Sequence, residues 1–469
     1  MYVWLMLAIA ALIIYIAQIG AITWLEHRRQ SHLAAWIFLC LVCPYLGFAA
    51  YWLLGRRLKR VKPLTALKSE CHAASKIGKS AGMNRFHSFM EQHLPYPATN
   101  RNRATVLQDG ETTFQTILNA IEHACSSIHL DYYTVRCDGI GSRFLEALTS
   151  KAREGVDVKL LYDGIGSLHL SEHFLQKLHS SGAQSACFSP PREFLLKKRL
   201  NFRNHRKIVV IDNSVGFMGG INIGDEYLGL DPRLGFWRDT HLKLEGECVR
   251  QLQTIFQENW LRATGENIRV DAGSTSRDEV PAPEAEWNDR IVLVPGKPGI
   301  HDAVISEALF AAMSEAKETI YAVTPYFIPD PSIAASLRIA ARSGVDVKMI
   351  IPGISDSKLV LLATLSYVQD MLDAGVRVYR YGKGFIHAKV LIIDGRLASI
   401  GSANLDMRSL YTNYELLALI EGADPVGRLT KDFMTDLSDS VAVDAGEFSR
   451  RPAKQKTAES LLHLLSPLL

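Results

Sequence analysis

The apolar residues of this chain form two long runs at its N-terminus and are spaced periodically afterwards. The first run extends from position 2 to 25 and the second from 33 to 54, with the polar segment Glu26–His32 between them. Each run is long enough to cross a hydrocarbon core, which needs about 20 residues. A cleaved signal peptide would have a basic start, a shorter apolar core and a small-residue cleavage site, and none of these fits well. The pattern therefore predicts a transmembrane helical hairpin over residues 1–55.

Basic residues follow the second apolar run directly, at Arg56, Arg57, Lys59, Arg60 and Lys62. They outnumber Arg28 and Arg29 in the polar loop. The positive-inside rule then predicts that everything after residue 55 lies in the cytoplasm. We expect residues 56–100 to form a basic juxtamembrane connector.

Beyond residue 100, the spacing of apolar residues changes back and forth between the helical and the strand period. Thr112–Ser126 has helical spacing and Ile128–Val135 has the composition of a strand, and similar alternation continues to the C-terminus. Short apolar strands separated by helices indicate α/β sandwiches with mixed sheets. We predict one such domain over residues 101–266 and a second over 290–469, joined by a linker at 267–289 that is rich in Gly, Ser and Pro.

Composition narrows the partners that this chain can have. Of its 469 residues 22% are charged and the formal net charge is +3, which does not produce the strong positive field of a nucleic-acid-binding protein. Its seven cysteines lack framework spacing, so no disulfide scaffold is expected. We therefore predict no nucleic-acid partner.

One motif occurs twice, with every residue of the second copy 182 positions after its counterpart. A histidine is followed two residues later by a lysine and five residues after that by an aspartate, at His205, Lys207 and Asp212 and again at His387, Lys389 and Asp394. The similarity extends upstream to Ala152–Lys159 and Ala341–Lys348. A shared period of this kind indicates a duplicated module. We predict that the two copies bring two histidines and two lysines to one site.

The parity of a strand separates the residues of this motif. His205 and Lys207 are two residues apart and share a face, as do His387 and Lys389. The two aspartates are an odd number of residues from both, so they face the opposite side or the turn. The motif as a whole assigns Asp212 and Asp394 to the catalytic residues. The parity of the strand instead predicts that these aspartates chiefly fix the backbone at the turn.

Two imidazoles and two ammonium groups facing one cleft suit a phosphate. The lysines neutralise the non-bridging oxygens, one histidine attacks phosphorus, and the other protonates the leaving oxygen and later activates the incoming hydroxyl. Further donors for this anion follow each motif, at Gly220, Asn222, Ser402 and Asn404. Lysine is a poor zinc ligand and no His, Cys or carboxylate set has ligand spacing, so neither a metal nor another cofactor is predicted.

Two carboxylates occupy equivalent places downstream of the motifs, at Asp239 and Glu415. They are either solvated groups at a strand edge or, as we favour, the groups that hold each histidine's tautomer, as in catalytic triads. The basic and apolar stretch at 194–203 is either a solvated loop or a patch for anionic lipid headgroups.

The two motifs resemble the signature of the phospholipase D superfamily, and the whole chain is similar to its bacterial cardiolipin synthases. The similarity is carried by residues 203–212, 219–227, 237–240, 324–330, 401–409 and 464–469. It implies an α/β fold of two tandem phospholipase D-like sandwich domains that form one pseudo-twofold active site, preceded by the transmembrane hairpin. Relatives tend to have Ser-Gly-Pro where this chain has Pro295–Gly299, so we assign no substrate contact there.

The resemblance also implies a function. The chain is expected to transfer a phosphatidyl group between two phosphatidylglycerol molecules, giving cardiolipin and glycerol through a phosphohistidine. In the superfamily the first-motif histidine, here His205, is usually the nucleophile, which leaves His387 as acid and base. The expected location is the bacterial inner membrane, with more than one span.

Alternatives remain open at this point. A phospholipase D that hydrolyses its substrate would use the same motifs, and so would a transferase with another acceptor, such as phosphatidylethanolamine or serine. A nuclease is disfavoured by the apolar hairpin and the near-neutral charge. An inactive scaffold is disfavoured because both motifs are complete.

Overall fold

The computed structural model describes residues 2–26, 30–54, 85–191, 202–268, 287–298 and 303–466. Its N-terminal helices are α1 Tyr2–Glu26, α2 Gln30–Val42 and α3 Pro44–Leu54. Of the described helices, α1 alone is long and apolar enough to cross a membrane. The second apolar run is divided between α2 and α3 because Pro44 has no N–H to continue the ladder of α2 and instead begins a new helix. The expected single helix at 33–54 is therefore two helices, and the crossing of a membrane by this run stays a prediction.

The three N-terminal helices form a small cluster of their own. Ile22, Trp36, Cys40 and Tyr51 are its buried apolar residues. The Tyr15 hydroxyl of α1 donates to the Cys40 carbonyl of α2 at 3.2 Å. Arg28 and Arg29 and the basic residues at 56–62 lie outside the described residues, as do 194–201 of the basic and apolar stretch and most of the expected linker.

The first half of the chain builds a mixed sheet with helices on its faces. Its strands are β1 Asn102–Asp109, β2 Ser127–Tyr132, β3 Asp157–Asp163, β4 Gln184–Phe188, β5 Lys207–Ile211, β6 Val215–Gly219 and β7 Phe236–Gly246. Its helices are α4 Arg85–His93, α5 Gly110–Glu122, α6 Gly139–Arg153, α7 Glu172–Ser180 and α8 Glu247–Thr264, with a short 3₁₀ helix at Asp225–Leu228. The strand order is β1-β7-β6-β5-β2-β3-β4, in which β2, β3 and β4 are parallel.

The second half repeats this arrangement. Its strands are β8 Arg290–Gly296, β9 Thr319–Val323, β10 Phe327–Ile328, β11 Asp346–Pro352, β12 Arg377–Tyr381, β13 Gly384–Ile386, β14 Val390–Ile393, β15 Leu397–Gly401, β16 Leu405–Asp406, β17 Glu415–Glu421 and β18 Ser440–Ala442. Its helices are α9 Val304–Met313, α10 Pro331–Arg342, α11 Lys358–Asp373, α12 Met407–Tyr411, α13 Ala423–Ser438, α14 Ala445–Ser449 and α15 Ala453–Leu465. The strand order is β18-β12-β11-β9-β14-β15-β17-β8, with β9, β11 and β12 parallel.

Local sequence explains why these elements form. In α5, Asp109 caps the helix by accepting from the Thr112 N–H, and Phe114, Ile117 and Ile121 are spaced three and four residues apart on its buried face. The motif strands instead contain continuous runs of Val, Ile and Leu, which in β5 follow Lys207 and in β14 make up the whole strand, and every residue in both strands is buried. Such runs are typical of central strands covered on both faces.

One apolar core is shared by the two halves. It combines Ile208 of β5 and Leu242 of β7 with Leu293 of β8, Ile392 of β14 and Ile420 of β17, all of them fully buried. Burying each such side chain contributes about 2 kcal/mol to the free energy of unfolding. The α/β fold with two repeated halves is confirmed, and the shared core holds them as one unit.

Candidate active site

The two motifs begin just before the central strands β5 and β14, and each is anchored by the other half of the chain. The His205 N–H donates to the Tyr414 carbonyl at 2.9 Å, beside β17 of the second half. The His387 N–H donates to the Arg238 carbonyl at 2.7 Å, because β13 pairs in parallel with β7 of the first half. This exchange of backbone hydrogen bonds brings both histidines to the junction of the two sheets.

Each histidine is hydrogen-bonded to a carboxylate of the opposite half. His205 Nδ1 lies 3.1 Å from Glu415 Oε2, and His387 Nδ1 lies 2.6 Å from Asp239 Oδ2. Both carboxylates are fully buried. A carboxylate on Nδ1 holds the proton on that nitrogen and leaves the lone pair of Nε2 available for chemistry. The contacts are those that the expected orienting role requires.

The carboxylates are themselves held in place. Glu415 accepts from the Ser402 hydroxyl and from Asn413 Nδ2, the latter at 3.1 Å. Asp239 accepts from the Thr240 N–H at 2.7 Å. A Cβ on Gly220 would lie 2.0 Å from Asp239 Oδ1, so a glycine at this position is required for the carboxylate to fit. Gly220 and Ser402 thus support the carboxylates of Asp239 and Glu415, and their binding of a phosphate stays a prediction.

The two asparagines of the predicted phosphate-binding set also have protein partners. Asn222 Oδ1 accepts from the Thr134 N–H at 3.1 Å, and its Nδ2 donates to the Tyr227 hydroxyl. Asn404 Nδ2 donates to Asp406 Oδ2 at 2.8 Å. Asn404 Oδ1 is buried without a hydrogen-bond partner within the described part of the chain. Contact of either amide with a substrate phosphate stays a prediction.

Both motif lysines are buried beside their histidines. Lys207 Nζ donates to the His205 carbonyl at 2.6 Å, and Lys389 Nζ donates to the His387 carbonyl and lies 3.0 Å from His387 Nδ1. Burial lowers the pKa of Lys207 to about 7 and that of Lys389 to about 8. A buried ammonium has lost most of its hydration, so it attracts an anion more strongly than an exposed lysine does.

Burial also disfavours the charged form of the two histidines. Burial, reinforced by Lys389, lowers the pKa of His387 to about 4. Burial also lowers the pKa of His205, and Lys389 of the other motif contributes in the same direction. Lys207 in turn contributes to the lowered pKa of His387. Each histidine therefore lies in the electrostatic field of the other motif's lysine, as a single shared site requires.

The motif aspartates lie at the far ends of their strands, away from this site. Asp212 accepts from the N–H groups of Cys125, Ser126 and Ser127, and Asp394 accepts from those of Lys317, Glu318 and Thr319. Among the described residues, neither carboxylate is hydrogen-bonded to a motif histidine. As the parity of the strand predicted, they fix the turns of the β5–β6 and β14–β15 hairpins, and a catalytic role for either aspartate stays a prediction.

Replacing Asp212 with alanine is expected to reduce stability and to leave turnover within a few-fold of the original. The change removes the acceptor of three backbone N–H groups at a half-buried turn, and the residue has φ 49°, which alanine adopts poorly. The free energy of unfolding should fall by about 2 kcal/mol. Thermal unfolding and specific activity of the purified enzyme measure the two effects separately.

The matched control is Asp212→Asn, which retains one acceptor oxygen and tolerates the positive φ, so it should lose less stability. A well-folded Asp212→Ala enzyme that was as inactive as a histidine variant would show that the carboxylate acts in catalysis after all.

Aromatic rings and one arginine at the site were not predicted. Trp237 and Phe385 lie with ring centroids 5.3 and 5.7 Å from that of His387, and Tyr133 lies 4.8 Å from His205. Arg206, between the histidine and lysine of the first motif, is fully buried and donates to the carbonyls of Glu415 and Gly296 at 2.9 and 2.8 Å. The second motif has Ala388 at the equivalent position. This difference between the motifs is visible in the sequence, but the carbonyl groups that Arg206 contacts are not.

Comparison with known proteins agrees with this geometry. The family described as "Cardiolipin synthase, PLD-like domain" matches residues 117–260 and 309–437, which include both motifs and the carboxylates of Asp239 and Glu415. The chain belongs to the phospholipase D-like cardiolipin synthase family. Membership makes it a phosphatidyltransferase of the phospholipase D type.

Relatives within the cardiolipin synthase family are similar over nearly their whole length. A cardiolipin synthase of Geobacillus thermodenitrificans is 40% identical over 95% of this chain and 90% of the relative. Cardiolipin synthase 2 of Bacillus anthracis is 39% identical over 96% of this chain and 89% of the relative. The crystal structure of phosphatidylserine synthase from Haemophilus influenzae has a TM-score of 0.61 at 14% identity, covering 82% of this chain and 100% of that one, and supports the fold alone.

The side chains at and around the site show whether a metal ion has ligands there. Across the described ranges, no three His, Cys, Asp or Glu side chains are grouped closely enough to hold an ion. The histidines instead have carboxylate partners at Nδ1 and lysines beside them. The two lysine ammonium groups are thus the cations that lie directly beside the histidines.

Proposed function

We propose that this chain transfers the phosphatidyl group of one phosphatidylglycerol to the headgroup hydroxyl of a second, giving cardiolipin and glycerol. The crossed histidine–carboxylate pairs support it most directly, because they place two oriented imidazoles and two buried lysines at one junction. Relatives named cardiolipin synthase, at about 40% identity over nearly the whole chain, support the choice of acceptor. The substrate is thus an anionic phospholipid.

The reaction takes two displacements at phosphorus. When the anionic phosphate binds, His387 takes up a proton on Nε2 and His205 stays neutral. His205 Nε2 attacks the phosphate, the bond from phosphorus to the headgroup glycerol oxygen breaks, and His387 donates its Nε2 proton to that oxygen. Glycerol leaves and a phosphatidyl-histidine remains. His387, now neutral, accepts the proton of the second lipid's hydroxyl, whose oxygen attacks phosphorus and releases His205. Lys207 and Lys389 stabilise the charge on the non-bridging oxygens in both steps.

The product distribution of the purified full-length enzyme tests this function. Phosphatidylglycerol labelled in its headgroup glycerol should give cardiolipin with one labelled glycerol per molecule and one labelled free glycerol, both identified by mass. Phosphatidic acid without cardiolipin would contradict the synthase and favour a hydrolase. Addition of phosphatidylethanolamine or serine should leave cardiolipin as the main product, and a dominant mixed product would favour the alternative acceptors.

We expect kcat/KM to fall as the pH rises through about 7 to 8. Both ammonium groups must carry their proton to bind the phosphate, and the pKa values of Lys207 and Lys389 are about 7 and about 8. The protonated lysines, and with them activity, are present below this range and are lost above it. The pKa of His387 is about 4 without a ligand, so this histidine gains its proton only when the phosphate anion binds beside it. Initial rates at subsaturating lipid over a range of pH measure the alkaline limb.

The profile of kcat should differ from that of kcat/KM. A bound phosphate anion stabilises the ammonium form and moves the alkaline limb of kcat to higher pH. Lys389→Arg is the matched variant, since an arginine keeps its charge at alkaline pH. The kcat/KM of any activity that it retains should fall less steeply as the pH rises above about 8. Identical alkaline limbs for kcat and kcat/KM would contradict the assigned role of the lysines.

The membrane arrangement is also a proposal. α1 and the pair α2–α3 would form two passes through the bacterial inner membrane, with both catalytic halves in the cytoplasm. The length and apolar composition of α1 and its packing against α2 support this. In inside-out vesicles an added protease should digest the catalytic halves, and in right-side-out spheroplasts it should not. The opposite pattern would reverse the orientation.

A further inference from the structure

Several large apolar side chains are exposed on the loops and strand ends that border the two motif histidines, and the surface between them is called the mouth of the active site. We propose that they form a membrane-docking surface, the apolar rim, which enters the interfacial layer of an anionic phospholipid bilayer and sets the catalytic junction against the lipid headgroups. The rim consists of Leu168, Leu230, Phe236, Ile354 and Leu359, all of them exposed. This inference rests on the proposed lipid-to-lipid transfer, and it concerns the way in which the site reaches its substrate.

In the first half, the rim begins where β3 ends. The Asp163 carboxylate accepts from the N–H of Asn204, the residue before His205, at 3.0 Å. The loop that follows carries Leu168, which is 58% exposed. The neighbouring Ser167 hydroxyl donates to the carbonyl of Tyr133, whose ring contacts His205. Leu168 therefore lies on the loop that borders the first motif histidine.

In the second half, the equivalent loop follows β11 and carries Ile354 and Leu359. Between them, Asp356 accepts from the Tyr326 hydroxyl at 2.5 Å and contributes to the electrostatic environment of Lys389. Leu359 is 59% exposed in the first turn of α11. β3 and β11 are corresponding parallel strands of the two sheets, so their loops leave from the same edge as the motif histidines. The two halves thus place exposed aliphatic groups on both sides of one mouth.

The remaining rim residues come from the segment between the 3₁₀ helix and β7. Phe236 pairs with Gly384 at the start of the strand that leads to His387. The next residue, Trp237, contacts the His387 ring. Leu230 lies in the same segment and is exposed. This segment therefore extends the rim along the boundary between the halves.

A bilayer is the occupant that best fits this surface. Exposed cations lie beside the apolar groups, because Lys383 Nζ is 5.2 Å from the Phe236 ring and Lys358 precedes Leu359. Apolar side chains flanked by lysines are typical of surfaces that bind anionic lipid interfaces. A mouth that receives two lipid headgroups must also face the layer in which those lipids lie.

The N-terminal apolar helices are linked to the rim by helix packing. α2 packs against α15, and α15 packs against α11, whose first turn carries Leu359. The end of α15 lies nearer this turn than its start does, since His463 Nδ1 is 3.1 Å from the Ser366 hydroxyl. The membrane-anchoring segment and the rim are therefore connected through two packed helices.

Photocrosslinking tests the contact directly. The full chain in phosphatidylglycerol nanodiscs would carry a benzophenone amino acid at Leu168, at Leu359 or, as the matched control, at Ile339. Ile339 is 64% exposed near the end of α10, which runs toward the opposite edge of the sheet. Adducts of lipid mass are expected at the two rim positions and not at Ile339. Equal lipid yield at all three, or adducts to protein in place of lipid at the rim, would overturn the proposal.

Kinetics in mixed micelles give a second readout. The double variant Leu168→Ser/Leu359→Ser should raise the mole fraction of phosphatidylglycerol at half-maximal rate about tenfold and change kcat much less. The control Phe310→Ser/Ile339→Ser removes apolar groups that are 43% and 64% exposed on helices away from the mouth and should change neither value. With monomeric short-chain phosphatidylglycerol the rim variant should lose its effect. An unchanged half-saturating mole fraction would overturn the rim, and no cardiolipin from the unmodified enzyme would instead contradict the proposed function.

Discussion

Replacing either His205 or His387 with alanine is expected to lower turnover by about four orders of magnitude, because one group forms the covalent intermediate and the other moves the proton at each displacement. Initial rates with labelled phosphatidylglycerol measure the loss. Folding should change little, since each side chain lies at a junction where its backbone remains anchored by the opposite half.

The two histidine variants should differ in what they accumulate. In His387→Ala the nucleophile remains and the base for the second displacement is missing, so a phosphatidyl adduct on His205 should build up slowly and be visible by intact mass. In His205→Ala no adduct should form. An adduct on His387 in that variant would reverse the assignment of nucleophile and acid.

His87→Ala is the matched control. His87 Nε2 also pairs with a carboxylate, Glu421 at 2.8 Å, but it lies on α4 outside both motifs. Loss of that pair should leave turnover unchanged. If His87→Ala were as inactive as the motif variants, loss of a histidine–carboxylate pair would be acting through folding.

Asp239→Asn and Glu415→Gln should each lower turnover by about two to four orders of magnitude, because a neutral amide no longer holds the proton on Nδ1 of the partner histidine. The negative charge of each carboxylate favours the charged form of its histidine, so its removal should lower the histidine pKa further.

The crossed pairing makes this prediction specific. Asp239→Asn should shift the imidazole resonances of His387, and Glu415→Gln should shift those of His205, although each pair joins opposite halves of the chain. Observation of the reverse pattern by NMR would mean that each carboxylate serves the histidine of its own half. Asp157→Asn is the control, since it removes a carboxylate 3.4 Å from His129, outside the site, and should not affect turnover.

The duplicated halves, the alternation of helices and strands and the place of the motifs on central strands were all predictable. They depend on periodicity within a single element, where a residue two positions along a strand must share a face with the first. The same rule separated Asp212 from Lys207 and predicted its place in a turn, where it now accepts three N–H groups. The division of the second apolar run at Pro44 also follows from the sequence, because proline lacks the N–H that a continuous helix needs.

The contacts of the residues after each motif could not be predicted, because they depend on how the two sheets pack against each other. Gly220 and Ser402 were expected to face a phosphate, and the structure places both against the orienting carboxylates. The burial of Arg206 against the Glu415 carbonyl was not expected, because an arginine between two catalytic residues normally suggests a solvent-exposed side chain.

The amino-acid sequence by itself determined the chemical groups of this site, their number and the strand face on which each motif presents them. Only the tertiary structure decided which carboxylate serves which histidine, because the paired residues are 210 and 148 positions apart and lie in different sheets. Covalent spacing constrains neighbours on one strand. The partners across the junction are chosen by the exchange of backbone hydrogen bonds at His205 and His387 and by the shared core that holds the two sheets together.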